Sequence, residues 1–298
     1  MKLSSSSCGF RNVSNYCVDQ IYCYEGTGFK YLNLSLNDDR SQLSREGEEW
    51  RRMVNDVGEA AAKMGIGLIM AHAPYTDPES YFNDRDSFIR SIERCIEGCA
   101  LLGIKDLVVH GSPYRSNLNK QQFFDEINEL YHLILPAAEK YGINILLENF
   151  YEHPLLSNGQ DLLELHRLIN HPLVYVCWDT GHAGVQKVDQ YESIISLGKK
   201  LRGLHISDND GKWDWHTGPF IGDINFDPVM QALADIDYSG YFNFEVVRIF
   251  MPEREPWVYH GHPVNRLTVP PKHLSQMAFK LLYEIGVYML TSYGVFEE

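Results

Sequence analysis

Residues 143–182 read INILLENFYEHPLLSNGQDLLELHRLINHPLVYVCWDTGH, and the punctuation of this stretch decides the fold. Residues 143–148 are a short apolar run ending on a carboxylate, Glu148. Residues 158–170 read as a helix, closed by the His171-Pro172 pair because the position before a proline is pushed out of the helical region. Residues 174–179 form a second apolar run, and it too ends on a carboxylate, Asp179. Strand, helix and strand of these lengths make one βαβ unit with its two strands parallel.

The same alternation runs outward in both directions. Residues 2–7 read as a first strand, 12–24 as a first helix and 29–36 as a second strand. Residues 45–64 carry Trp50, Met53, Val54, Val57, Ala60 and Ala61 at helical spacing and stop at Gly65. Strand 66–72, helix 84–102, strand 105–110 and helix 119–141 follow; Gly103 and Gly142 end the helices, and Pro136 marks a kink. Beyond the central unit come helix 189–200, strand 201–207, helix 226–236, strand 241–247 and a closing helix 272–290. Eight strands, each followed by a helical segment with no Pro/Gly/Ser-rich linker, predict an α/β chain folded as a single (β/α)8 barrel over residues 1–298. A doubly wound sheet is the alternative, but it brings a glycine-rich phosphate turn after its first strand. Gly26-Thr27-Gly28 and Gly65-Ile66-Gly67 lack the third glycine and read as ordinary turns.

Composition fits a large soluble core: 298 residues, 44% hydrophobic and 12% aromatic. Lys+Arg 26 against Asp+Glu 40 gives a formal charge of -14, which repels phosphate backbones and disfavours nucleic acid as a partner. No apolar run approaches the ~20 residues of a membrane span. The N-terminal MKLSSSSCGF sets a Cys after small residues, yet lacks the apolar core of an export signal. Six Cys with no C-x-x-C pair indicate reduced thiols, and a cytoplasmic protein is expected.

Function is read from the strand ends. The apolar runs finish on His72 (IMAH), His110 (LVVH), Glu148 (ILLE), Asp179 (VCWD), His205 (GLH) and Glu245 (FNFE). In a barrel those ends converge on one mouth, where catalytic residues of this architecture sit. Three carboxylates meeting there repel one another unless a divalent cation joins them. Asp214 and His216, one residue apart in DWH, point to the same side of an extended backbone and can meet one cation.

These motifs resemble the xylose isomerase-like barrels, a family of sugar and sugar-phosphate isomerases and epimerases that also includes the endonuclease IV class of abasic-site nucleases. The resemblance covers essentially the whole chain. In the epimerase branch it implies one divalent metal, manganese or zinc, held by Glu148 in LLENF, Asp179 in WDTGH, His205 in LHISDND and Glu245 in NFEVV. In the nuclease branch it implies three zinc ions, with His72 in AHAP, His110 in VVHG, His182 in DTGH, and Asp214 and His216 in DWH as the further ligands. One to three ions are therefore expected. AHAPY and HISDNDG read like the sugar branch, whereas the nuclease branch carries Asn-Asp-Ser-Lys after its strand-seven His. Gly222-Asp223-Ile224 departs from the Gly-x-Gly turn that both branches often carry after D-x-H.

The expected activity is a metal-dependent isomerase or epimerase of a small carbohydrate, phosphorylated or not, working through an enediolate, with Glu148 and Glu245 as base and acid. His182, Trp213 and Trp215 are the expected substrate contacts. The alternative is a multinuclear zinc phosphoesterase in which those Glu residues are ligands only, and a third class binds a chelated ligand without turnover. Cys177, two residues before Asp179, reads as a buried structural thiol. His260 and His262, in the connection 250–271, read as part of a lid or of a contact between two copies of the chain.

Overall fold

The computed structural model describes residues 1–36, 47–75, 83–110, 118–152, 154–247, 249, 257–259, 262–264 and 270–298. Eight parallel strands form the barrel: β1 (Lys2–Ser6), β2 (Tyr31–Ser35), β3 (Gly67–His72), β4 (Asp106–Val108), β5 (Asn144–Glu148), β6 (Val174–Asp179), β7 (Leu201–His205) and β8 (Tyr241–Phe244). Each pairs with its neighbours in sequence, and β1 pairs β8 through Ser5 opposite Phe244. The ring closes between β7 and β8 where Ile206 bridges Phe244 in parallel. A single (β/α)8 barrel results, as the alternation of the sequence predicts.

The outer helices are α1 (Cys17–Cys23), α2 (Glu49–Met64), α3 (Arg85–Leu102), α4 (Lys120–Tyr141), α5 (Gly159–Ile169), α6 (Thr180–Gln186), α7 (Gln190–Leu197), α8 (Asp227–Asp235) and α9 (Lys272–Ser292). Their ends obey local chemistry. Asn119 and Gln122 form a reciprocal capping box at the start of α4, and the Asn158 side chain accepts from the main chain of Gln160 and Asp161 at α5. Gly65, Gly103 and Gly142 end α2, α3 and α4 in the left-handed conformation. α4 continues through Pro136, whose missing N–H falls inside the helix.

Several boundaries move. β4 stops at Val108, so His110 lies two residues past its strand, and β8 stops one residue before Glu245. The expected helix 12–24 shortens to α1, and a 3-10 turn (Ser7–Phe10) takes up the end of the expected first strand and the residues after it. Two elements lie outside the sequence reading: α6, directly after β6, and an antiparallel hairpin, β9 (Trp257–Tyr259) with β10 (His262–Val264), inside the 250–271 connection. The α6 segment, TGHAGVQ, has two glycines and poor helix propensity. It forms because the Asp179 carboxylate caps it, accepting from the His182 main-chain N–H at 2.7 Å. Residues 45–46 of the expected second helix, and His260, lie outside the described residues.

Inside the barrel Met70, Val108, Leu146 and Cys177 pack as a buried layer. The helices close a larger core around the strands. Gly203 on β7 has no room for a side chain there: an added Cβ would lie 2.9 Å from both Leu146 and Met70. All six cysteines are free and buried, and burial pushes the Cys177 thiol well above its ordinary pKa, consistent with a structural role. Among the described residues no helix is long and apolar enough to cross a membrane.

Candidate metal centre

The nine strand-end and loop residues singled out in the sequence meet at the C-terminal mouth of the barrel. Of five overlapping groups among the described residues, the ligand atoms in each lying within 4.8 Å of one another, three together hold all nine: His72, His110 and Glu148; Glu148, Asp179, His205 and Glu245; and His182, Asp214 and His216; the other two join His72 to His205 and Glu245, and Cys177 to Glu148 and His205. Register explains the convergence. Along the ladder His72 pairs with Val108 and Val108 with Leu146, two residues before Glu148; Glu148 pairs with Cys177, two residues before Asp179, and Asp179 with His205, a stagger that in a barrel of tilted strands brings these strand ends to one mouth.

Glu148 joins the first two groups. Its Oε1 lies 2.7 Å from His205 Nδ1, and its Oε2 lies 2.9 Å from His110 Nε2 and 3.5 Å from His72 Nε2. Burial alone would raise its pKa, but His205 and His110 outweigh that and hold the carboxyl well below the usual range. Glu245 is the opposite case. Burial first, then the charges of Glu148 and Asp179, push it well above the usual range although its Oε2 lies 3.2 Å from His205 Nδ1. Two carboxylates of one centre are thus driven apart.

The third group is tight. Asp214 Oδ2 lies 2.6 Å from His216 Nε2 and 3.5 Å from His182 Nε2. Burial opposes ionisation of Asp214, yet the two imidazoles hold its carboxyl well below the ordinary value. Against burial, Asp179 and Asp214 raise His182 well above the usual histidine value, and Asp214 raises His216. Asp179 Oδ2 and Asp214 Oδ1 are buried with no hydrogen-bond partner among the described residues. A bare carboxylate oxygen in a low-dielectric site is costly unless a cation answers it. The donor set of carboxylates and imidazoles suits zinc or manganese.

The loop that carries Asp214 and His216 is pinned by Asp208, three residues past β7 and fully buried. Its Oδ1 accepts from the main-chain N–H of Asn209 at 2.8 Å and Ile224 at 3.1 Å, and its Oδ2 accepts from Gly222 at 2.9 Å. Its backbone exchanges both hydrogen bonds with Thr217. Between those anchors His216 adopts φ +47°, a left-handed conformation unfavourable for a side chain with a Cβ. In Gly222-Asp223-Ile224 the glycine that is kept has a local reason, since an added Cβ at Gly222 would sit 2.3 Å from the Asn209 carbonyl oxygen, while Ile224, standing where the family turn has its second glycine, packs its side chain against Gly184 of α6.

A cavity of about 370 Å³ opens onto the centre, lined by His72, His110, His182, Asp214, His216 and Glu245 from the expected set. Glu148, Asp179 and His205 lie behind it, fully enclosed. Trp213 is 69% exposed and Trp215 38% exposed, and neither lines the cavity. Its aromatic walls are Tyr75, Phe150 and Tyr151, which sequence reasoning passed over, together with Cys8, Arg11 and Glu152. Tyr75 and Tyr151 donate their hydroxyls to Glu152, at 3.1 and 2.9 Å. The signal was present: AHAPY and ENFYE place these residues directly after strand-end ligands, where barrel loops begin.

Comparison with known proteins agrees with this architecture. The chain is 32% identical over 131 residues to a fructoselysine 3-epimerase of Escherichia coli O157:H7, covering 43% of this chain and 47% of that protein. It is 32% identical over 115 residues to a ketose 3-epimerase of Arthrobacter globiformis, covering 38% of each. The alignments thus span less than half the length of these two relatives. Among solved structures it is similar in fold to an IolI protein with a zinc atom, with a TM-score of 0.73 at 20% identity over 99% of this chain and 100% of that one. Residues 25–261 match the family description itself, and the chain belongs to the xylose isomerase-like TIM barrels.

Proposed function

We propose that this chain, acting as one domain, is a divalent-metal-dependent epimerase or isomerase of a small sugar or keto-sugar. The observation that carries the reading is the placement of the two glutamates. Both share a ligand group with Asp179 and His205, but Glu245 lines the cavity whereas Glu148 is enclosed behind it. A carboxylate facing the cavity beside the ion stands where proton transfer at a carbon next to a carbonyl needs one. The epimerase names of the relatives support the substrate class.

In this reading Glu148, Asp179, His205 and Glu245 hold the principal ion, manganese or zinc. When bound, the ion supplies positive charge against the negative charge that builds on two neighbouring sugar oxygens. Glu245 accepts the proton from the carbon that bears the hydroxyl, and the C–H electron pair passes into the enediolate. Return of a proton to the opposite face gives the epimer, and return to the adjacent carbon gives the isomer. Glu148, enclosed behind the cavity-lining His110 and His72, is the second proton carrier and reaches the sugar through them. His182, whose Nε2 looks toward the cavity rim at Asp214, contacts a substrate hydroxyl, and Tyr75, Phe150 and Tyr151 enclose the sugar. Trp213 and Trp215 reach the substrate only through movement of their loop.

A second reading has one specific observation behind it: all three ligand groups are complete, as a multinuclear zinc phosphoesterase would need. The formal charge of -14 and a mouth that carries Glu152 beside Arg11 weigh against a polyanionic substrate. One assay pair separates the two. With manganese or zinc supplied, a panel of ketoses and keto-sugars in deuterated water should acquire solvent deuterium, and abasic DNA should stay intact. Rapid incision without deuterium exchange would reverse the assignment.

A further inference from the structure

Four of the five histidines of the centre have a hydrogen-bond partner on the ring nitrogen turned away from the carboxylates, and one of these four is mounted in reverse. In His72, His182 and His216, Nδ1 lies 2.7, 2.7 and 3.1 Å from the main-chain carbonyl oxygens of Ala73, Asn149 and Glu245, whereas Nδ1 of His110 has no partner among the described residues. A carbonyl only accepts, so in those three Nδ1 carries a proton and Nε2 is the nitrogen left to face a cation or a carboxylate. Those three Nε2 atoms are the ones that point at Glu148 or Asp214. In His205 it is Nδ1 that faces the carboxylates, at 2.7 Å from Glu148 and 3.2 Å from Glu245. Its Nε2 lies 3.1 Å from Nδ2 of the Asn33 carboxamide, on β2, an amide whose nitrogen and oxygen exchange places by a half-turn of the side chain.

A carboxamide differs from a carbonyl in offering either a donor or an acceptor at the same place. With Nδ2 toward the ring, Nε2 must be bare, and Nδ1 must direct a proton at Glu148 and Glu245. With Oδ1 toward the ring, Nε2 carries the proton, and Nδ1 has a lone pair for a cation shared with Glu148, Asp179 and Glu245. Asn33 is fully buried, and its Oδ1 has no hydrogen-bond partner among the described residues. Turning the amide brings that unanswered oxygen onto His205 Nε2. The pattern of His72, His182 and His216, in which the second nitrogen donates to an oxygen, favours this orientation.

We propose that Asn33 is a positioning residue for the metal centre: its Oδ1 accepts from His205 Nε2–H, which keeps Nδ1 bare to ligate a divalent cation. This rests on the metal reading of the centre and not on the sugar chemistry. Partners of this kind that orient a ligating histidine are worth about 10- to 100-fold in metal affinity.

The test uses zinc alone, titrated into the full chain against a chromogenic chelator, with folding checked by circular dichroism. Asn33→Leu keeps the volume but removes the acceptor, and it should weaken zinc binding about 10- to 100-fold. Asn33→Asp can accept but not donate, so it should bind zinc at least as tightly as the parent, with His205 protonated at Nε2 by nitrogen-15 NMR. If Asn33→Leu does not fold, nitrogen-15 NMR of the zinc-loaded parent carries the comparison: a proton on His205 Nε2 is expected, and a bare Nε2, which a donating Asn33 requires, overturns the proposal. Parental zinc affinity in Asn33→Leu, or weakened binding in Asn33→Asp, overturns the proposal. A parent that takes up no zinc overturns it together with the metal reading. The expected zinc affinities with no deuterium exchange into any sugar would leave it standing while the proposed function fails.

Discussion

Asp214 Oδ2 lies 2.6 Å from Nε2 of His216, a residue held at φ +47° between a strand bridge and a glycine turn. Backbone strain of this kind costs about 1–3 kcal/mol and persists only where the surroundings over-determine it. Here the Asp208–Thr217 bridge supplies that constraint. The strained residue belongs to the His182–Asp214–His216 group and not to the set around Glu148 and Glu245.

His216→Ala should therefore affect the accessory group first. If one principal ion suffices for turnover, activity should fall by less than tenfold, and stability should fall modestly, because Ala keeps the Cβ that the left-handed backbone disfavours and loses the contact to Asp214. Steady-state kinetics beside urea denaturation measure both effects. Loss of turnover as complete as in Glu245→Gln would make the third group part of the chemistry and favour the multinuclear hydrolase.

Gly222→Ala tests the loop anchor. The new Cβ would meet the Asn209 carbonyl oxygen at 2.3 Å and Asp208 Oδ1 at 2.4 Å, and the first of these is main chain that cannot swing aside. Overpacking of this kind costs about 1–3 kcal/mol. The loss should appear in the urea midpoint, with faster amide exchange at Thr217, Gly222 and Ile224 and unchanged exchange in β3 to β6. Uniformly faster exchange across the barrel would mean that the loop is not a separate cooperative unit.

The barrel was legible because its signal is repeated: each apolar run is short, α2, α3, α4 and α7 end on glycine and α5 just before the His171-Pro172 pair, and the candidate ligands fall at strand ends. His110 and Glu245 show the limit of that reading, since both stand just beyond their strands and reach the mouth from loop starts. α6 was illegible because its propensity is poor and its stability comes from Asp179, a residue already assigned to a metal. Asp208 and Asn33 were missed for a related reason. Each acts through another residue, and neither spacing nor periodicity marks a hydrogen bond between distant segments such as Asn33 and His205. Trp213 and Trp215 were over-read, because bracketing a ligand in sequence does not turn an aromatic ring toward it.

Metal should stabilise the chain directly. An ion that binds only the folded state, at a free concentration 100 times its dissociation constant, adds about 2.7 kcal/mol. At roughly 2–4 °C per kcal/mol for a chain of this size class, the melting temperature should rise about 5–10 °C with zinc or manganese and fall back with a chelator. Elemental analysis of purified protein should return at least one divalent ion per chain. No stoichiometric metal, with an unchanged melting temperature on adding either ion, would remove the basis for the centre.

The two glutamates should separate when each is changed to Gln. Glu245 lines the cavity, and its substitution keeps shape and one oxygen while removing the capacity to take up a proton at neutral pH. General acid–base catalysis is typically worth about 10²- to 10⁴-fold, so kcat should fall by that factor while zinc stays bound. Glu148 answers both His205 and His110 and joins the first two ligand groups, so Glu148→Gln leaves each imidazole facing an amide and removes charge from both groups. Metal affinity and turnover should then fall together, and melting should lose its response to zinc. Measuring kcat and bound metal for the two variants side by side is the decisive comparison. If Glu245→Gln loses its metal while Glu148→Gln keeps it, the division between an enclosed ligand and a cavity-facing proton carrier is wrong.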